Sequence, residues 1–295
     1  MTMKFRAHET FFIRKGWLTK GMKNITKTPD VFVSKEDNPM DVLGIGTNMV
    51  KSLRYWLQAV GLTTEPKSGK RIQQVTPLGE MIMKYDPYME ELGTILLLQY
   101  CLASNRDLAT SWYYFFNEFK LSEFTREDFV TGLQAYALAN GESVATRSLN
   151  DDFNCIVNTY LPRFKTSTKR VSPESNIDCP LGELGLIDIV NKQKKIYRKS
   201  MPNIAIMDPW IILAVIMDQS KGNTEIALND LLKSPNNIGC VFNMDVIGMI
   251  EALHKTEKLG VIKIIRTAGM DIIRINTSFT FSECVKKYYE SIGDK

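Results

Sequence analysis

Histidine is almost missing from this chain: His8 and His254 are the only two in 295 residues. That leaves little material for histidine-based metal or acid–base chemistry. The five cysteines (Cys101, Cys155, Cys179, Cys240, Cys284) stand far apart with no CxxC pair, which argues against a disulfide framework or a zinc site. No apolar run approaches the roughly 18 residues of a membrane span. The opening MTMKFRAHETFF has no apolar signal core, so the cytoplasm is the expected compartment. "GIG" at Gly44–Gly46 lacks the lysine and hydroxyl residue of a phosphate loop, and there is no GxSxG. Catalysis finds no motif to rest on, and neither cofactor nor metal is expected.

What is present is an uneven charge pattern beneath a net charge of only +4. Residues 1–75 carry 13 Lys+Arg against 6 Asp+Glu, whereas residues 76–160 carry 5 against 12. Residues 161–202 are basic again, at 9 against 4, and residues 203–295 are near neutral, at 10 against 11. A basic first segment suits a polyanionic partner. The plainer alternative is a set of solvated, mutually compensating charges.

The N-terminal segment has the punctuation of a helix–turn–helix with a wing. TFFIRKGWLTKGMKNI (10–25) reads as a helix starting near Thr10. Asp41 opens a brief helix that stops at Gly44, and Gly46 lets the chain turn. Thr47 is placed to cap a helix over 48–60. Its apolar stripe is Met49, Val50, Leu53, Trp56, Leu57 and Val60, at three-and-four spacing. The opposite side centres on Lys51, flanked by Thr47, Asn48, Arg54, Tyr55 and Gln58. Two short extended pieces follow around Lys67, Ser68, Gly69, Lys70 and Arg71, and Thr76-Pro77 caps another helix. In a winged helix–turn–helix the second helix lies in the DNA major groove and the wing touches phosphates. The predicted contacts to double-stranded DNA are therefore Thr47, Asn48, Lys51, Arg54, Tyr55, Lys67, Lys70 and Arg71. A winged helix used only for protein contacts is the competing reading.

Residues 86–161 read as a helical middle region with recurrent Ser/Thr/Asp caps, and its SWYYFFNEF run reads as core aromatics. Residues 162–180 have linker composition, and a short helix and a basic strand fill the rest to 202. From 203, three helices precede an alternating VIKIIRTAGMDIIRIN hairpin turning at Ala268-Gly269, so a second winged helix is expected. Its third helix has Phe242, Val246, Met249, Ile250 and Leu253 as the apolar stripe, with Met244, Gly248, Glu251 and Lys255 opposite. That neutral side suits a protein partner better than phosphate. The expected fold is thus mainly α with small β-wings: two winged helix–turn–helix units, at 1–85 and 203–295, flanking a helical middle region at 86–161 and a linker with basic segment at 162–202.

His254 sits late in a helix among lysines, as a surface residue would. His8 lies in HETFFIRKGW, where His8, Glu9 and Arg14 are expected to form a polar cluster that orients the first helix. The sharper alternative is an acid–base or metal role for the His8-Glu9 pair.

HETFFIRKGWLTKG, LGIGTNMVKSLRYWLQA, TPLGE, DPYMEELGTILLLQYCLASN, ATSWYYFFN, SPESNIDCPLGELGLI and TAGMDIIRIN together resemble a bacterial family catalogued as domain of unknown function four thousand and seven. The resemblance implies an accessory protein of phage-defence or DNA-modification islands, found near genes for DNA phosphorothioation, and brings no catalytic residues. It adds a DNA-modification or sulfur-transfer enzyme to DNA as an expected partner. The leading expectation is a DNA-binding accessory or targeting subunit. Its rivals are a transcriptional regulator of the same locus, which would be a homodimer, and an enzyme using the His8 region.

Overall fold

A computed structural model describes residues 3–66, 69–161, 179–267 and 270–293; within them the chain is mainly helical with three small antiparallel sheets. The N-terminal part runs α1 (Trp17–Lys27), α2 (Pro39–Leu43), α3 (Thr47–Ala59), β1 (Thr63–Thr64), β2 (Gln74–Val75) and α4 (Pro77–Tyr85). Its caps follow the local chemistry. Asn38 accepts the Met40 amide ahead of α2, one turn earlier than Asp41 suggests, and Thr76 accepts the Gly79 amide ahead of α4. Gly44 closes α2 at φ 61°, a conformation that suits glycine.

The first helix begins later than its sequence periodicity predicts. Residues 6–10 are folded into turns, with Arg6, Glu9 and Thr10 all at positive φ. Residues 4–12 instead form a strap across α3: the Trp56 indole N–H donates to the Phe11 carbonyl at 2.9 Å. Helix α1 then packs on α3 through Gly21, where an added Cβ would lie 2.7 Å from Leu57.

The middle region contains α5 (Leu92–Ser104), α6 (Thr110–Tyr113) continuing into a π turn at Tyr114–Glu118, β3 (Glu123–Phe124), α7 (Arg126–Ala139) and α8 (Thr146–Tyr160). Trp112 through Phe116 are all buried, as expected of a core run. Phe115, Phe119, Phe124, Phe129 and Phe153 pack largely edge to face. Most of the expected linker, 162–178, lies outside the described residues. Beyond it β4 (Ile187–Asn191) and β5 (Ile196–Lys199) join β3 in a sheet of order β3-β5-β4, with Phe124 opposite Tyr197.

The C-terminal part runs α9 (Pro209–Ser220), β6 (Glu225–Ala227), α10 (Leu228–Lys233), α11 (Ile238–Val241), α12 (Val246–Glu257), β7 (Ile262–Thr267), β8 (Met270–Ile275) and α13 (Phe281–Gly293), with sheet order β6-β8-β7. Glu225–Ala227, expected as helix, pair instead with Ile272–Arg274. The Ala268-Gly269 turn lies outside the described residues.

Helix α12 buries Met249 and Leu253 of its expected stripe and exposes Glu251 opposite, but its first turn faces otherwise. Val246 is 51% and Ile247 70% exposed, while Met244 and Gly248 are buried. Met201 and Ile204 crowd Gly248, where an added Cβ would stand 2.9 Å from the Met201 sulfur. Contacts made by a distant loop thus override the local stripe. Buried residues form one cluster from Ile13 to Tyr289. Tyr288 and Tyr289 of α13 bond to Gly93 and Thr94 of α5, and Gln99 joins Val241 to Tyr160. No described helix is long and apolar enough to cross a membrane.

Candidate nucleic-acid interface

Helix α3 leaves one narrow arc to solvent, made by Thr47, Asn48 and Lys51. Thr47 is the first helical residue and not the cap; Gly46 occupies the cap position without a side-chain bond, and the Thr47 hydroxyl turns to the Met40 sulfur at 2.8 Å. Two further predicted contacts, Tyr55 and Arg54, are not freely exposed side chains. Tyr55 is buried on a side of α3 that the apolar stripe does not mark, near Lys4 and Ala7 of the strap and Leu108. Ser52 and Ala59 are buried along with it. Burial pushes the Tyr55 hydroxyl well above its usual pKa, and the Asp152 carboxylate adds to the rise.

Arg54 is a clamp between helix and wing. Its Nε donates to Glu65 Oε1 at 2.6 Å and its Nη2 to the Arg71 carbonyl at 3.0 Å. Glu65 Oε1 also accepts from Gln58 and Gln73, at 3.0 and 3.2 Å, and Gln73 donates to the Arg54 carbonyl. The network fixes a hairpin whose paired strands are only two residues each. Lys70 and Arg71 stand exposed near its tip; Lys67 lies outside the described residues.

Between strap, α3 and wing opens a cleft of about 220 Å³ whose wall includes Lys4, Lys51, Arg54, Tyr55, Glu65 and Arg71. Four cations face one carboxylate. The side chains of Lys4, Lys51 and Arg71 make no hydrogen bond or ion pair among the described residues. Lys4 escapes sequence reasoning because it lies 47 positions before Lys51, outside both the helix and the wing.

The polar cluster at His8 exists with other partners. His8 is fully buried, and its Nε2 meets Asp152 Oδ1 at 2.7 Å. Ser111 donates to Asp152 Oδ2 at 2.6 Å, and the Arg6 amide to Oδ1 at 2.9 Å. The Thr10 amide donates to His8 Nδ1 at 3.0 Å, so the ring proton belongs on Nε2, aimed at the carboxylate. Glu9 and Arg14 take no part: Arg14 lies against the Phe11 and Trp17 rings, at 5.8 and 5.1 Å. The carboxylate sits between histidine and serine, so the imidazole has no hydroxyl to activate. With Trp56 stacked on it and Trp112 at its edge, His8 is a dry fastening of the strap to α8. Nothing near His8 in sequence points to Ser111 or to Asp152, which lies 144 positions away.

The other buried ionisable groups are likewise held by the protein. Burial pulls the Lys199 amine down to about 7, and its Nζ donates to the Phe115 and Phe119 carbonyls, closing the π turn. Tyr100 bonds Asp218, and burial raises its hydroxyl first, with Asp218 adding to it. His254 is exposed beside Glu257 at 3.3 Å. Among the described residues no three His, Cys, Asp or Glu side chains converge on a metal-sized site.

A family model described as "Protein of unknown function (DUF4007)" matches residues 5–289. The chain belongs to this family. Two solved structures are similar to this DUF4007 protein over 99% of its length and 89% of theirs, at 25% identity and TM-scores of 0.83 and 0.82. Both are crystal structures of SspB, and the first is magnesium ion-bound. No curated protein matches the chain.

Proposed function

We propose that this protein is a DNA-binding accessory or targeting subunit of a bacterial DNA-modification or phage-defence system, and that its N-terminal part grips duplex DNA as a winged helix–turn–helix. The observation that carries the reading is the meeting of Lys51 from α3 and Arg71 from the wing at one cleft, neither with an internal partner. Asn48 and Thr47 extend the same exposed arc. Helix α2, the Gly44–Gly46 turn and α3 supply the order of a helix–turn–helix, and the short hairpin follows as a wing. The C-terminal part repeats this order with a longer hairpin, and the first turn of its last helix before that hairpin exposes Val246 and Ile247, which suits a protein partner such as a modification or sulfur-transfer enzyme.

No step of this reading runs through a metal. The sealed His8 ring weighs against an enzyme built on that residue. A regulator would use the same face as a dimer on a palindromic site, a stoichiometry that sedimentation reads directly.

The test is a double variant, Lys51→Ala with Arg71→Ala, titrated with random-sequence duplex across a salt series. Each phosphate contact contributes roughly one unit to the slope of log affinity against log salt, so the slope should fall by about two units. A folded double variant with the parent's slope and affinity would remove this face from the interface. Arg54 is left in place because its loss would also release the wing.

A further inference from the structure

Several surface cations have carboxylates beside them. Arg274 stands 2.9 Å from Glu225, Arg198 3.5 Å from Asp188, and Lys286 3.6 Å from Glu290. At the cleft between strap, α3 and hairpin, three cations without such a partner converge. The cleft's one acid, Glu65, already accepts from Arg54, Gln58 and Gln73 on a single oxygen. Lys4, Lys51 and Arg71 therefore bring charge that nothing in the cleft neutralises.

We propose that the cleft is a seat for one phosphate group of a nucleic-acid strand, and that Lys4 is one of the residues that bind it. The inference rests on the duplex-binding reading and adds to it a contact from a third segment. Three features make the cleft a built site. Arg54 is locked by Glu65 and the Arg71 carbonyl through two of its five N–H groups, which leaves three in a fixed fork of the kind that matches phosphate oxygens. Lys4 is held in place, since its own amide donates to the Thr110 hydroxyl at 3.0 Å and the strap behind it is fastened through Arg6 and His8 to Asp152. The rest of the wall, Ala7, Tyr55, Gln58 and Leu108, is uncharged and adds no further carboxylate. The buried histidine joint secures the strap further along, while the Thr110 bond holds Lys4 itself at the cleft.

A phosphate of this kind comes either from the backbone of an intact duplex or from a strand terminus. The test compares full-length parent and Lys4→Ala protein on an intact random-sequence duplex and on the same duplex carrying a 5′-phosphorylated nick. Lys4 is exposed, so the variant should melt with the parent. Lys4→Ala should lower affinity several-fold at low salt and reduce the salt slope by about one unit. Lys286→Ala, on α13, should leave both unchanged. Equal losses on the two duplexes identify a backbone diester, and a loss confined to the nicked one identifies a terminal phosphate. Parent-like affinity and slope for Lys4→Ala on both duplexes, with Lys51→Ala impaired, would overturn the seat and leave the duplex reading standing. Should the parent bind neither duplex, the duplex reading fails, and inorganic phosphate titrated calorimetrically decides the seat alone. Binding lost in Lys4→Ala would then sustain it, and no binding to the parent would refute it.

Discussion

The two ends of the chain use the same order of parts, helices followed by a hairpin, and leave opposite chemistry in water. Helix α3 exposes Thr47, Asn48 and Lys51; α12 exposes Val246, Ile247, Glu251 and His254. The charges of the first hairpin, Lys70 and Arg71, have no internal partners. In the second, Arg274 pairs with Glu225 and Arg266 with Asp271 within the sheet, and Lys263 is exposed without an ion pair among the described residues. One scaffold therefore presents Lys51 beside Thr47 and Asn48 at one end, and an apolar first turn followed by Glu251 and His254 at the other. The scaffold sets where a surface points, and the side chains left unsatisfied set what it can hold.

The comparison breaks first at the helices' buried sides. Leu53 is wholly buried and meets Gly21 of α1, so Leu53→Ala leaves a cavity at the point where α1 rests on α3. A loss of about 2–5 kcal/mol is expected, read by denaturant unfolding. A variant that unfolds with the parent would mean that this side of α3 is not packed and that the N-terminal face is misassigned.

His8→Ala should cost less, about 1–3 kcal/mol, because it removes one donor from a buried carboxylate that keeps two others. Lys4 stays tied through Thr110, so duplex binding should fall only as the folded fraction falls. A His8→Ala protein with the parent's melting temperature and no function in cells would return His8 to the list of working residues.

These two residues also mark how far the sequence can be read. Leu53 was legible, because a helical stripe depends only on neighbours three and four positions away. The three-and-four rule failed at Tyr55 and at Gly248, each buried beside segments distant in sequence: the strap and Leu108 for one, Met201 and Ile204 for the other. At Arg54 the charge was legible, but not the bonds to Glu65 and the Arg71 carbonyl that fix the side chain. His8 was legible as a joint but not in its partners, since no periodicity links it to Ser111 or Asp152. The mainly helical class, the Gly44–Gly46 turn and the Thr76-Pro77 cap were all local, and all were readable.

The smallest expected effect sharpens the contrast most. Val246 and Ile247 are more than half exposed on α12, at the position that Thr47 and Asn48 hold on α3. Their side chains lose little water on folding, so little stability rests on them. Replacing both with Ala should change unfolding by no more than about 0.5 kcal/mol, the usual range for surface substitutions. The Val246→Ala, Ile247→Ala protein should also bind random duplex with the parent's affinity and salt slope, since neither side chain carries charge. What it should change is capture of a protein partner, because an exposed apolar patch on a folded chain is where another protein loses its water. Measuring duplex binding on this variant beside the Lys51→Ala, Arg71→Ala protein puts the two ends on one scale. Equal losses of duplex affinity in both would mean that the two ends share one task, and the division drawn from their surfaces would fall.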